Sequence, residues 1–168
     1  MAIRVIPSPA QLAWSQFKEV DSIPDGEDAH IDVNFALGNR NFHHANGKYS
    51  LAADLTLTVS PIVKVLKGAN KTADLLAHEQ GHYNIGILVG RAMARELEKL
   101  SSANPQTLAH EATAVFDRHR LTLMPAVQED YDTATNHSLN ASQQARWNGL
   151  ITAALAAAVS DTLNQKPL

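Results

Sequence analysis

The sequence contains no cysteine in 168 residues, which excludes disulfide bonds and thiolate ligands for a metal. Any metal ion must therefore be held by histidine, aspartate or glutamate. The sequence also lacks an uninterrupted apolar run long enough to cross a bilayer, so we expect no membrane span. Positive charge is not in excess, since the net charge is −3 with all eight histidines counted as neutral. This balance gives no indication of a basic surface for nucleic acid or an anionic membrane.

The first residues, MAIRVIPSPAQL, lack the positively charged leader and the long apolar core of a signal peptide, so none is predicted. A chain without cysteine suits the cytoplasm and the periplasm equally, which leaves the compartment open. Hydrophobic residues make up 45% of the chain and charged residues 18%, as is typical of globular proteins. The length predicts a single domain that spans residues 1–168.

Alternation of polar and apolar side chains predicts two strands in the first half of the chain. One spans residues 30–37 and the other residues 50–59, and Pro61 is expected to end the second. Residues 1–28 contain several prolines and many turn-forming residues, and they predict irregular structure. The two strands predict a small antiparallel sheet near the N-terminus.

Helical periodicity predicts three long helices in the second half. The first spans residues 72–100, beginning at a capping threonine. The second follows Asn104 and is expected to kink at Pro125, and the third spans residues 140–163. These elements predict an α+β fold in which the small sheet packs on the long first helix, with two further helices beside it.

The pentapeptide His78-Glu79-Gln80-Gly81-His82 lies within the first predicted helix. Residues four apart share one face of a helix, so His78 and His82 can direct their imidazoles at one ion, with Glu79 beside them. Neutral imidazoles on a rigid helix suit Zn²⁺, and an adjacent carboxylate can accept the proton of a metal-bound water. The alternative interpretation is that the motif only forms a solvated polar face of the helix. Apolar residues at helical spacing surround the motif and argue against it, because buried polar groups need a compensating role.

Three glycines in the first predicted helix would each cost about 1 kcal/mol relative to alanine. Gly86 and Gly90 form a stripe of small residues with Ala94, which predicts close packing of a neighbouring helix. Gly81 lies inside the motif, where it could leave room for a substrate or for a loop that carries a further ligand.

A catalytic zinc normally has three protein ligands and a water, so the motif lacks one ligand. The histidine that one class of zinc proteases places six residues beyond the motif is excluded, because that position is Leu88. Glu111 and Glu129 are available carboxylates on the second helix. His137 is another candidate, since it lies in a polar turn from which it could reach an ion on a neighbouring helix.

With these segments in view, the sequence resembles a bacterial family of unknown function whose members are predicted to be secreted or periplasmic zinc-dependent proteases. The resemblance spans nearly the whole chain. Its blocks are LAWSQF at 12–17, HEQGH at 78–82, GRAMAREL at 90–97, Tyr131-Asp132 with Thr135 and His137, and Gln144 with Trp147-Asn148. The chain departs from the family pattern at Ser138, where glycine usually follows the histidine.

The resemblance implies a zincin-like fold that binds Zn²⁺. It implies that His78 and His82 are two ligands, that Glu79 is the general base, and that His137 is the third ligand. We therefore expect a zinc-dependent peptidase in which a zinc-bound water, activated by Glu79, attacks a peptide bond.

Two further residues of the late block have alternative interpretations. Tyr131 either donates a hydrogen bond to the oxyanion formed in the reaction or packs at the end of the second helix. Asp132 either orients a ligand imidazole or only forms the turn.

The expected partner is a peptide or protein substrate, and the edge of the strand at 51–59 could accept it as an added strand. A rival hypothesis is a zinc-binding structural or interaction module without turnover. Another is a hydrolase of amide bonds in the cell wall that uses the same ligands. The weakest alternative is a helical bundle with incidental histidines.

Overall fold

The computed structural model describes residues 3–23, 27–38, 41–52 and 54–168. Within these ranges the fold contains a four-stranded, a three-stranded and a two-stranded sheet, together with four α-helices. The strands are β1 (Arg4–Pro7), β2 (Lys18–Val20), β3 (Ala29–Leu37), β4 (Phe42–Ala45), β5 (Lys48–Leu51), β6 (Thr56–Leu66), β7 (Ser101–Ser102), β8 (Thr162–Leu163) and β9 (Lys166–Pro167). The helices are α1 (Ala73–Leu97), α2 (Pro105–Arg118), α3 (Met124–Thr135) and α4 (Ala141–Ala156). None of these helices is both long and apolar enough to span a membrane.

The four-stranded sheet is built around β6. Strands β1 and β2 run parallel to β6 on one side, and β3 runs antiparallel on the other. β3 alternates buried and exposed residues, so this predicted strand is confirmed. The sheet is mixed, whereas an antiparallel sheet was predicted. Its two parallel strands, β1 and β2, arise from residues 1–28, for which irregular structure was predicted. These strands of four and three residues are too short to show a periodic pattern.

Strand β6 continues through Pro61 to Leu66, beyond the predicted end. Pro61 lies between the part of β6 that pairs with β1 and the part that pairs with β2. No strand needs a donor from it on that side, so the missing N–H is tolerated. The predicted strand at 50–59 is divided between β5 and β6, and Ala53 within it lies outside the described residues. Because β6 is flanked on both sides, the prediction that this strand accepts a substrate is wrong. Among the described residues, β3 has an unpaired edge on the side away from β6, as β1 and β2 do on the opposite side of the sheet.

Helix α1 begins after Thr72, as predicted, and the threonine hydroxyl accepts a hydrogen bond from a backbone N–H of the first turn at 3.1 Å. Its small residues face the sheet. A Cβ at Gly86 would lie 2.6 Å from Val33, and a Cβ at Gly90 would lie 3.0 Å from Val59. The predicted neighbouring helix at this stripe is therefore wrong, because strands β3 and β6 occupy that position.

Helices α2 and α3 are joined by a π-helical turn (His119–Leu123). Asn104 caps α2, as predicted, by accepting a hydrogen bond from the Gln106 N–H at 2.8 Å. Pro125 lies in the first turn of α3 and has no N–H for a hydrogen bond to the preceding turn. A π-helical turn precedes it, where a kink was predicted. The extra residue of a π turn rotates the helix that follows by about 100°. This rotation helps to set which face α3 turns toward α1.

Helix α4 ends at Ala156, earlier than the predicted residue 163. Arg95 of α1 donates hydrogen bonds to the Ser160 carbonyl and, at 2.8 Å, to the Asp161 carboxylate. These contacts hold the segment after α4 away from helical geometry and against α1. The helices α1, α3 and α4 contact one another, and the predicted motif lies on α1 where they meet.

Candidate metal centre

The two histidines of the motif lie one turn apart on α1 and converge. Their Nε2 atoms are 3.1 Å apart, and the exposed fractions of the two residues are 2% for His78 and 8% for His82. Helical spacing alone places them on one face, and the contacts of α1 with α3 and α4 bury that face. The two nitrogen atoms are therefore presented together at the floor of a cleft.

Asp132 of α3 completes this group. Its Oδ1 atom lies 3.2 Å from His78 Nε2 and 2.8 Å from His82 Nε2. The oxygen is buried and accepts no hydrogen bond with acceptable geometry from any described residue, in spite of these short distances. Burial alone would raise the pKa of Asp132, but the two imidazoles beside it hold that pKa below its usual range. We call His78, His82 and Asp132 the buried cluster.

Two glutamines determine which nitrogen of each imidazole is free. Nδ1 of His78 lies 3.1 Å from Gln144 Oε1, and Nδ1 of His82 lies beside Gln128 Oε1. An amide oxygen can only accept, so the tautomer that satisfies both contacts carries its hydrogen on Nδ1 and leaves the Nε2 lone pair for an ion. The amide nitrogen of Gln128 donates in turn to the His82 carbonyl at 3.0 Å. Each imidazole is thereby fixed in the tautomer and orientation that a metal ligand requires.

The buried cluster could hold a metal ion. Two imidazole nitrogens and one carboxylate oxygen lie 2.8–3.2 Å apart. Ligand atoms in a tetrahedral zinc site, at about 2.0–2.2 Å from the ion, are about 3.3–3.6 Å from one another. The donor atoms are therefore of the right kind, and small outward shifts of the side chains would admit a divalent ion.

Glu79 lies beside the buried cluster without belonging to it. Its exposed fraction is 3%, and it lines the same cleft, which has a volume of about 330 Å³. Burial, and to a smaller extent the charges of Glu27 and Asp132, raises the pKa of Glu79 to about 7, while His78 opposes the shift. A carboxylate held close to the ion position, but outside the ligand group, is placed as a proton acceptor would be.

Tyr131 lies behind the histidines, away from the cleft. Its ring stacks on His78 with centroids 4.8 Å apart, and it meets Trp147 edge-on at 5.3 Å. The hydroxyl donates to the His78 carbonyl at 3.2 Å and accepts from the Gln144 amide at 2.6 Å. A Cβ at Gly81 would lie 2.1 Å from this hydroxyl, so the space that this glycine leaves is filled by Tyr131.

This placement favours a supporting role for Tyr131, because its hydroxyl hydrogen is already donated within the fold. The interpretation of Tyr131 as an oxyanion donor stays a prediction. The presence of Tyr131, Gln144 and Asn148 in the segments that resemble the family has a physical reason. Gln144 makes hydrogen-bond contacts with His78, with Tyr131 and, at 2.9 Å, with Asn148.

His137 lies at the rim of the cleft and is half exposed. Its Nδ1 atom is 3.1 Å from Glu27 Oε1 and 3.8 Å from Asp132 Oδ1. Glu27, Asp132 and His137 form a second group that could hold an ion, which we call the rim cluster. The backbone at His137 and Ser138 has φ angles of 49° and 77°, a region that favours glycine and so explains the glycine of the family pattern at position 138.

Asp132 is the member of the buried cluster that sequence reasoning did not assign as a ligand. It was considered as a support for an imidazole or as a turn-forming side chain, and its place beside Tyr131 in the segment that resembles the family was the available signal. His137 as third ligand stays a prediction, because the structure brings it to Asp132 and not into one group with the motif histidines. The other carboxylates considered, Glu111 and Glu129, are exposed and do not line the cleft.

Comparison with known proteins bears on this site. Residues 63–138 match the family described as "Bacterial protein of unknown function (DUF922)". The resemblance to a bacterial family of unknown function is thereby confirmed over this stretch, which contains all members of the buried cluster. No curated protein gives a significant match to the chain. No solved structure gives one either.

Proposed function

We propose that this protein is a zinc-dependent peptidase. The observation that carries the proposal is the buried cluster of two imidazole nitrogens and a carboxylate oxygen, with the buried carboxylate of Glu79 beside it in one cleft. A general base close to an ion site that opens on a cleft is the arrangement that metal-assisted hydrolysis requires.

His78, His82 and Asp132 would hold the ion. Nitrogen ligands disfavour calcium and magnesium, which prefer oxygen, and two histidines with one carboxylate suit zinc. Structural zinc sites are closed by four protein ligands, whereas these three residues line an open cleft. This difference favours turnover over a purely structural module. When bound, zinc supplies Lewis acidity that polarises a carbonyl and acidifies water.

The protein's own residues would carry the proton and hold the geometry. Glu79 accepts the proton of the attacking water and returns it to the amine that leaves. Gln128 and Gln144 keep the imidazole lone pairs directed at the ion position. In this proposal Tyr131 is a positioning residue, because it holds the His78 backbone and the Gln144 amide.

A peptide is the substrate class that suits the cleft. Residues 29–33 of β3 line it, and the edge of β3 that faces away from β6 is free among the described residues. An extended peptide can add to such an edge through backbone hydrogen bonds. The scissile bond would then pass over the floor that His78 and Glu79 form.

The test is hydrolysis by the purified, zinc-loaded chain, with casein and mixed peptides as substrates. Glu79→Gln should lower kcat by about 10²–10⁴-fold and leave the zinc content unchanged. Glu111→Gln on α2, an exposed change of the same kind, should have no effect on either quantity. A chelator should abolish activity, and zinc should restore it.

Two outcomes would decide against the proposal. Stoichiometric zinc, with no hydrolysis of any peptide by either the wild type or Glu79→Gln, would indicate a structural module. Hydrolysis of peptidoglycan fragments without hydrolysis of proteins or peptides would indicate that the same residues act on amide bonds of the cell wall.

A further inference from the structure

Negative charge is concentrated in the cleft. Five carboxylates line it, and no lysine or arginine does so among the described residues, although the chain has 14 of these cations. The carboxylates are Glu27, Asp28, Asp32, Glu79 and Asp132. A divalent ion on the buried cluster would offset only two of these charges. The cleft would therefore keep an anionic field with the ion in place.

Some of these carboxylates already have partners within the fold. Asp132 belongs to the buried cluster, and Glu27 bridges His30 at 3.2 Å and His137 at 3.1 Å. Asp28 is exposed, and the side chain of Asp32 is 58% exposed, with His30 Nε2 3.5 Å from its Oδ1 atom. Two carboxylates thus face solvent at the cleft, and neither is neutralised by a lysine or arginine there.

The positions of these two carboxylates follow from the strand. The Asp28 carbonyl accepts a hydrogen bond from the Leu66 N–H at 2.8 Å, so the pairing of β3 with β6 extends back to Asp28. Side chains two apart share one face of a strand, and Asp28, His30 and Asp32 therefore form one outward row. An extended peptide on the free edge of β3 would place every second side chain beside this row.

An independent observation lies deeper in the same cleft. Glu79 is 3% exposed and lines the cleft, and the described groups act on its carboxylate through burial and charge, with no hydrogen bond among them. A buried carboxylate without a partner is costly unless a ligand satisfies it. The floor of the cleft therefore also indicates a ligand that brings hydrogen-bond donors.

We propose that the cleft selects peptides that carry lysine or arginine beside the scissile bond, with Asp28 and Asp32 as the residues that determine this specificity. The inference rests on the proposed peptidase function and names its substrate class. Opposite charge across an interface mainly raises the association rate and the discrimination between partners. The preference should therefore weaken as salt screens exposed charges.

The experiment uses three fluorogenic peptides of one length and one background sequence, in which two alternate positions are both lysine, both glutamine or both glutamate. Measurements are kcat/KM for the zinc-loaded chain and binding anisotropy for the zinc-loaded Glu79→Gln variant, which should bind without cleaving. Asp32→Asn and Asp32→Lys change the row. Glu111→Lys on α2 is the matched charge reversal away from the cleft.

We expect the lysine peptide to exceed the glutamate peptide by about tenfold or more in kcat/KM at low salt, with the glutamine peptide between them. Asp32→Lys should remove most of this preference in both measurements, Asp32→Asn should remove part of it, and Glu111→Lys should leave it intact. Equal cleavage of the three peptides, or equal effects of Asp32→Lys and Glu111→Lys, would overturn the charge preference and leave the peptidase standing. Absence of both cleavage and binding for all three peptides would overturn the function and the preference together.

Discussion

The buried cluster and the rim cluster share Asp132, yet they differ in burial and in support. The side chains of His78 and His82 are 3% and 10% exposed, and an amide oxygen fixes each Nδ1. The side chain of His137 is 50% exposed, and its Nδ1 faces two carboxylates. The imidazoles of the buried cluster are held in the orientation that a metal ligand needs. The rim cluster is explained equally well by a histidine that pairs with two carboxylates. Nearness of ligand-type residues is therefore weaker support for a metal site than the orientation of their side chains.

The strongest test of this comparison exchanges the two candidate third ligands. Asp132→Asn should lower zinc affinity by on the order of 10²–10³-fold, because it removes a charged ligand from a site with three protein ligands. His137→Asn should change the affinity much less. Competition with a chromogenic chelator measures both constants. The reverse order of effects would make His137 the third ligand, as the family resemblance implies, and Asp132 its neighbour.

A second test concerns the contact that places Tyr131 behind the buried cluster. Gly81→Ala would put a Cβ 2.1 Å from the Tyr131 hydroxyl and 2.6 Å from its ring, so the ring must move away from His78. We expect a loss of about 2–3 kcal/mol in the free energy of unfolding. Urea denaturation of the zinc-free protein measures this loss.

The matched control for that substitution is Gly149→Ala in α4. No atom lies within 4 Å of a Cβ at this position, so alanine should stabilise the helix by about 0.5–1 kcal/mol. Equal effects of the two substitutions would show that close contact with Tyr131 is not the reason for glycine at position 81.

A third test removes the support of one imidazole without touching a ligand. Gln144→Ala deletes the acceptor of His78 Nδ1 and should weaken zinc binding by about 10–100-fold. Gln143→Ala, next to it in the same turn of α4, should leave the affinity unchanged. If the two variants bind zinc equally well, the orientation of His78 does not depend on Gln144, and the contrast between the two clusters loses its basis.

The smallest expected effect concerns a buried histidine outside both clusters. Burial lowers the pKa of His119, against the opposing effects of the Val115 carbonyl and Glu96, while Arg118 and Arg95 lower it slightly further. The unfolded chain therefore takes up a proton at His119 at a higher pH than the folded chain does. The resulting stability is fully present above the unfolded pKa of about 6.5 and is lost as the pH falls below it.

We expect His119→Gln to lose less stability than the wild type between about pH 7.5 and about pH 5.5. Thermal unfolding of the zinc-free proteins gives the two slopes, and both clusters are identical in the two chains. His110→Gln, an exposed change on α2, should keep the wild-type slope. A wild-type slope in His119→Gln as well would show that this histidine does not contribute to acid sensitivity.

Much of the fold was predictable wherever a periodic signal was long. The strand at residues 29–37 and the capped starts of α1 and α2 followed from alternation and from the residues Thr72 and Asn104. Short strands such as β1 and β2 carry no such signal, and their parallel pairing depends on β6. Packing of a sheet on α1 was predicted, but not that the sheet would cover the stripe of small residues.

The candidate site divides in the same way. The motif histidines and Glu79 were identified from local spacing, because residues within two turns of a helix have fixed relative positions. Gln128 and Gln144 were not identified as supports, since nothing local shows that they reach imidazoles 46 and 66 residues away. Glu27 was not identified as a member of the rim cluster for the same reason, because its contact with His137 joins distant parts of the chain.

Local sequence was enough to establish that two imidazoles share one helical face with a carboxylate beside them, and that no thiolate could assist them. Packing of distant segments was needed to bring Asp132 to these imidazoles and to place a free edge of β3 beside the cleft. The physical reason is the range of the interactions. Helical geometry is set by neighbours in sequence, whereas the approach of α3 depends on the turn before Pro125 and on the space above Gly81, which exist only once the helices have packed.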